Sequence, residues 1–136
     1  MFEADSPSIV ELPKTPSKGG VLSFIEEGSA LPFKVRRIYW IYDVDKEVER
    51  GNHCHEFSRQ VLVCLRGEVQ VDIANLYEEA FSFKLNHPAK ALYLPPKHWL
   101  KTKFSAGSIL LSATSHLFEE DNTITDYQQF LAMKQY

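Results

Sequence analysis

From Val21 to Ser112 the chain is a run of short apolar or alternating segments, each cut off by glycine, proline, asparagine or charged residues. That rhythm leaves room for strands and little room for helices. Val35 to Val44 (VRRIYWIYDV) is β-branched and aromatic, as strands favour. Glu68 to Ile73 and Ala80 to Leu85 alternate polar with apolar, the pattern of strands with one face buried. Val21 to Ile25, Gln60 to Leu65, Ala91 to Leu94 and Ser108 to Ser112 read as further strands, and a short one carries the histidines at 53 and 55. Arg66-Gly67, Asn75 and Pro95-Pro96 mark turns between them. Strands spaced this evenly predict an all-β sandwich or barrel. Only the tail reads as helix: Asp126 is placed to cap a segment in which Tyr127, Phe130, Leu131 and the stem of Lys134 recur at helical spacing.

The 136 residues are one domain's worth, 1–136, with 1–18 as an extended arm carrying Pro7, Pro13 and Pro16 and at most a short strand near Ile9 to Leu12. A net charge of −3 gives no footprint for nucleic acid or an anionic membrane, so any anionic partner must be held by local arginines. No apolar run is long enough to span a bilayer, and residues 1–20 lack a basic-then-apolar leader. Cys54 and Cys64 have no metal-type spacing. The expected location is the cytoplasm, with both thiols reduced.

The segment richest in chemistry is Arg50-Gly51-Asn52-His53-Cys54-His55-Glu56. In a strand, residues two apart share a face, so His53 and His55 project together while Cys54 points away. Such a pair can ligate a metal, act as acid and base, or simply be exposed. The surrounding spacing is more specific: Gly51, the two histidines, Gln60 and Gly67 follow the first motif of the cupin barrels, with glutamine where that motif has glutamate. After the proline turn the position that would hold a third histidine is Leu100, while His98 lies two residues early. Half of the usual ligand set is therefore replaced. Glu56, the next residue along from His55, should face outward. Catalytic zinc keeps three protein ligands, and non-haem iron takes two histidines with a carboxylate, so the expectation is a pocket with no metal. Buried imidazoles suit proton transfer, because their pKa lies near neutrality. Arg50 borders the pair. Arg36 and Arg37 lead into Tyr39, Trp40 and Tyr42, and one arginine of the two must face solvent.

With these residues in view, the chain resembles the dTDP-sugar 3,4-ketoisomerases, the WxcM-like cupins. The likeness runs from about Gly20 to Phe130 and rests on Arg36 to Val44, on Arg50 to Val69, and on the proline turn before Trp99. Arg50, Gly51, His53, His55 and Gln60 match the family pattern around the histidines; Cys54 and Glu56 replace its alanine and lysine. The resemblance implies a cupin-type antiparallel barrel (jelly roll) with a short C-terminal helix. The implied reaction moves the keto group of dTDP-4-keto-6-deoxyglucose from C4 to C3 through an enediol, in deoxysugar biosynthesis, with no cofactor. It implies His53 as the main base, His55 and Tyr39 as relay or oxyanion partners, and Arg50, Arg37, Gln60 and Trp99 as substrate-binding residues. It further implies a homodimer, with N-terminal strands exchanged. The family's closing segment is altered here: its Asp, Tyr and Arg have become Asn122, Thr123 and Thr125. Two other readings compete: a 3,5-epimerase-like cupin, which typically needs a His–Asp dyad that the sequence around His53 does not offer, and a non-catalytic sugar-binding cupin.

Overall fold

The computed structural model describes residues 5–28, 31–45 and 48–134. Its strands are β1 (Ser8–Glu11), β2 (Lys14–Ser17), β3 (Gly20–Ser23), β4 (Arg37–Ile41), β5 (Glu49–His55), β6 (Gln60–Arg66), β7 (Val69–Ala74), β8 (Ala80–Leu85), β9 (Lys90–Leu94), β10 (Trp99–Phe104), β11 (Ile109–Thr114) and β12 (Thr123–Ile124). A 3-10 turn spans Phe118–Glu120, and α1 spans Tyr127–Leu131. Two five-stranded antiparallel sheets, ordered β1-β9-β6-β11-β4 and β12-β5-β10-β7-β8, form a sandwich, and β2-β3 is a separate hairpin. This is the all-β architecture that the rhythm of strands and turns predicts.

Period-two alternation decides which side chains fill the space between the sheets. Leu62, Cys64, Leu92, Leu94 and Leu110 from the first sheet meet Val69, Val71, Ile73, Leu85, Leu100 and Phe104 from the second. Burying each large apolar side chain contributes roughly 1.5–3 kcal/mol. The residues between them point the other way. On the first sheet Val61, Val63, Ala91 and Tyr93 pack beneath Leu12, Leu31 and Phe33. On the second, Cys54, Trp99, Ile124 and Phe130 build a smaller cluster under α1. The Asp126 carboxylate caps that helix, accepting from the Gln128 and Gln129 amides at 2.8 and 3.2 Å, as its side chain predicts.

The arm is more ordered than the proline-rich sequence suggests. β1 pairs with β9 at the edge of the first sheet, and β2 turns back onto β3 through Lys18 and Gly19, both at positive φ. Residues 1–4 of that arm, and 46–47 of the charged loop after β4, lie outside the described residues. Besides β2 of the arm, two strands escape the pattern reading. In β10 the alternation is masked by Thr102, a polar residue on the buried face between Leu100 and Phe104, and β12 is only two residues long.

Candidate active site

β4 is the edge strand of the first sheet, and β5, second in the other sheet inside the two-residue β12, lies beside it. The start of β5 at Arg50 meets the end of β4 at Ile41 and the following Tyr42, and Arg37 at the start of β4 acts on His55 at the end of β5. The seam between them carries most of the chemistry. From β5, His53 and His55 project to the same side, their rings edge-on with centroids 5.0 Å apart. Cys54 points away, into the cluster under α1. Burial above all, with the Glu56 and Asp121 carboxylates adding to it and Lys97 opposing, pushes the Cys54 thiol up to about 12. That sulfur therefore stays protonated and is no nucleophile.

A backbone irregularity sets the position of the pair. Gly51 and Asn52 both take positive φ, 89° and 57°, and the register shifts between Leu100 and Lys101: Leu100 lies opposite His53, but Lys101 lies opposite Gly51. Asn52 is the extra residue of a β-bulge. The bulge moves Arg50 opposite Thr102, a buried position on the inner face, so Arg50 and His53 share a face although they are three positions apart in sequence.

From β4, Arg37, Tyr39 and Ile41 turn inward while Ile38 and Trp40 turn out. The Arg37 guanidinium lies 4.5 Å from the centre of the Tyr39 ring and 5.1 Å from that of Phe118. Gln60, fully buried at the start of β6, donates from Nε2 to the Tyr39 hydroxyl at 3.3 Å. Ser112 lies opposite both Tyr39 and Leu62 in register, on the same inner face. Three side-chain atoms from this region, His55 Nε2, Gln60 Oε1 and Ser112 Oγ, are buried with no hydrogen-bond partner among the described residues. Buried polar atoms are nearly always paired, and leaving one unpaired costs roughly 1–3 kcal/mol. Orphans contributed by three strands to one inner surface mark where a polar ligand would be recognised.

His55 has a second partner that the sequence did not reveal. Its Nδ1–H donates to Asp121 Oδ2 at 2.7 Å, from a residue that follows the 3-10 turn. Burial, more than anything, holds the His55 pKa below the usual histidine range; neighbouring His53 adds to this, the Asp121 carboxylate and its hydrogen bond oppose it, and Arg37 lowers it slightly. The imidazole is therefore neutral near pH 7.

Of the residues singled out from sequence, His53, His55, Tyr39, Arg37 and Gln60 share this inner surface, and Arg50 faces it from the far end of the seam. Arg50 is exposed, beside Tyr42, Val44 and Val48. Trp99 is not brought there. Because its neighbour Leu100 faces His53, Trp99 must face the opposite side, where it packs against Tyr127 and Phe130 at ring-centre distances of 5.1 and 5.6 Å. The expectation that it binds substrate in the barrel is corrected: it is core. His98 is buried apart from the pair and donates to the Pro96 carbonyl at 2.8 Å. Among the described residues, no group of three or more His, Cys, Asp or Glu side chains is arranged to hold a metal ion. Gln60 and Leu100 stand where two further ligands would be needed.

Comparison with known proteins agrees with this geometry. The family described as "FdtA: WxcM-like, C-terminal" matches residues 5–135. The chain belongs to the FdtA family. A curated relative, the TDP-4-oxo-6-deoxy-alpha-D-glucose-3,4-oxoisomerase of Aneurinibacillus thermoaerophilus, is 34% identical over 125 residues, which cover 90% of this chain and 88% of the relative. Among solved structures, the TDP-fucose-3,4-ketoisomerase WlaRA of Campylobacter jejuni superposes with a TM-score of 0.88 at 28% identity, covering 95% of this chain and 96% of that one. A histidine-to-asparagine variant of the 3,4-ketoisomerase QdtA of Thermoanaerobacterium thermosaccharolyticum, in complex with TDP-4-keto-6-deoxyglucose, gives 0.86 at 30% identity, covering 98% and 95%. Likeness over nearly the whole chain, with the inner surface described above, makes this FdtA member an isomerase of TDP-linked keto sugars.

Proposed function

We infer that this protein is a nucleotide-sugar 3,4-ketoisomerase acting on dTDP-4-keto-6-deoxyglucose, with His53 and His55 as its proton-handling groups. The observation that carries the reading is the pair of inward imidazoles facing the Tyr39–Gln60 hydroxyl–amide contact across one seam. Moving a carbonyl to the next carbon transfers one proton between carbons and one between oxygens, with no net redox change. His53 takes the C3 proton and, in the second half, returns it to C4. The Tyr39 hydroxyl, already accepting from Gln60, has its own proton free to give to O4 as the enediol forms. His55 Nε2 takes the O3 proton as the carbonyl appears at C3, and that proton restores Tyr39. Each atom balances, and the protein ends as it began.

Arg37 and Arg50, at opposite ends of the seam, supply the positive charge for the enediolate and for the diphosphate of the nucleotide. Soluble biosynthetic enzymes of this kind act in the cytoplasm, which fits the two free cysteines. The molecule is a homodimer in this reading. Val21 and Trp40, 68% and 59% exposed, lie with Leu22, Ile38 and Leu65 on the outside of the first sheet and its hairpin, an apolar surface that a second copy would cover. Light scattering coupled to gel filtration should return twice the 15.6 kDa chain mass; a single-chain mass at micromolar concentration would remove the dimer from the proposal.

The His55–Asp121 contact gives the 3,5-epimerase reading a specific observation of its own, and one experiment separates the two. With dTDP-4-keto-6-deoxyglucose in deuterium oxide, proton NMR should show a ketone arriving at C3, with deuterium at C4 unless His53 returns the same proton. An epimerase would place deuterium at C3 and C5 and leave the ketone at C4. A binding protein would label nothing above the rate without protein. Deuterium at C5 with an unmoved carbonyl would refute the isomerase assignment.

A further inference from the structure

We propose that Asp121 is a positioning residue for proton transfer: it holds His55 in the Nδ1–H tautomer, so that the Nε2 lone pair is presented as an acceptor to the inner surface. This rests on the proton-transfer reading above and assigns a role to a residue outside the histidine motif.

The geometry is over-determined at every link. Neutral imidazole has one N–H and one lone pair, and whichever nitrogen meets a carboxylate must be the donor. Asp121 Oδ2 meets Nδ1 at 2.7 Å, so the lone pair falls on Nε2, the nitrogen that is buried with no partner among the described residues. The other carboxylate oxygen is fixed separately: Asp121 Oδ1 accepts from the backbone amides of Phe57 at 3.1 Å, Ser58 at 3.3 Å and Asn122 at 2.9 Å. With Oδ1 anchored by amides of the β5–β6 connection and of Asn122, Oδ2 is left to face His55. The turn itself is tied down by its neighbours. Arg36 forms a two-pronged pair with Glu120 at 2.8 and 3.0 Å, and Glu120 also accepts from the Leu117 amide. Phe118 covers Arg37, and Asn122 donates to Glu56 at 3.0 Å. The Glu56 amide donates to the Asn122 carbonyl, and β12 continues that pairing along His55 and Cys54.

A purely structural purpose explains little of this. Burying an imidazole beside a carboxylate while leaving its second nitrogen unpaired is costly, and a core position would more cheaply hold an apolar side chain. The arrangement makes sense if that nitrogen must receive a proton and the rotor must not turn. Second-layer carboxylates elsewhere fix a histidine's tautomer in the same way.

Two measurements test this. The first is two-bond proton–nitrogen NMR on protein with labelled histidine, the His55 ring identified as the signal lost in His55→Asn. The wild type should show the Nδ1–H tautomer near neutral pH. In Asp121→Asn the amide oxygen can keep the backbone contacts while its NH2 donates to Nδ1, forcing the proton onto Nε2; the spectrum should switch tautomer. The second is turnover. kcat of Asp121→Asn should fall by about 10²- to 10⁴-fold, the size of a lost acid–base contribution, with KM changed by only a small factor. A wild-type Nε2–H signal would overturn the proposal even if the variant failed to fold. So would Asp121→Asn with wild-type kcat, or with the loss confined to KM. If the wild type shows the Nδ1–H tautomer but leaves the TDP-sugar ketone in place, the isomerase reading has failed and the positioning of His55 by Asp121 has not.

Discussion

In a His53→Asn variant, turnover should drop by about 10²–10⁴-fold while the thermal midpoint stays within a few degrees of wild type. General-base contributions are of that size. The structure explains why stability should be spared. His53 is half-buried, its one ring contact is edge-on to His55, and it makes no hydrogen bond among the described residues. Asparagine of similar shape therefore breaks no native bond, yet it cannot accept and return a proton near neutral pH. His55→Asn is the instructive contrast. It removes a 2.7 Å contact to a carboxylate whose side chain is only 7% exposed, and hydrogen bonds to charged groups contribute roughly 1.5–3 kcal/mol. That variant should lose both turnover and stability. Steady-state kinetics and thermal unfolding on the two proteins give the comparison, and a His53→Asn enzyme with wild-type turnover would end the assignment of His53 as the base.

How much of this was readable in the sequence depends on the distance between cause and effect along the chain. Facing within one strand is local: alternation alone places His53 and His55 together and turns Cys54 away, and the motif spacing after the proline turn puts Leu100 where a third histidine would sit. The helix cap at Asp126 is equally local. The pairing of Asp121 with His55 spans 66 residues and depends on a 3-10 turn and a two-residue strand, neither of which leaves a periodic signal. The same dependence made the absence of an aspartate near His53 a poor argument against a His–Asp contact. Trp99 failed for a different reason. A tryptophan beside a proline turn is suitable for a pocket wall or for core, and only the register of β10 against β5 decides between them. The bulge at Gly51 and Asn52 was legible in part. The glycine was visible in the motif, but the switch of face that it gives Arg50 follows from pairing with β10, which the buried polar Thr102 disguises.

That bulge carries the second large effect. Gly51 sits at φ 89°, and a Cβ placed there would lie 2.7 Å from the Leu100 carbonyl oxygen and 3.3 Å from Lys101 Cα, both backbone atoms of the neighbouring strand. Nothing flexible can yield. The left-handed conformation alone costs an L-residue roughly 1–2 kcal/mol, and forcing extra volume into packed structure costs roughly 1–3 kcal/mol more. Gly51→Ala should therefore lose about 2–5 kcal/mol of stability. Gly107 provides the control: its φ is 73°, but no atom lies within 4 Å of a Cβ built there, so Gly107→Ala should pay only the conformational share, about 1–2 kcal/mol, and keep full turnover. The chain's cheapest escape at position 51 is to remove the bulge, which slides β5 by one residue against β10 and reverses every facing on the slid side of the bulge. Either Arg50 would turn to the outer surface or, with Arg50 held in place, the histidines would lose their register with Leu100; both break the shared face. Gly51→Ala should accordingly fall much further in turnover than in stability, measured at a temperature where both variants are folded. Equal losses in the two alanine variants would mean that the bulge does not set the histidines' position.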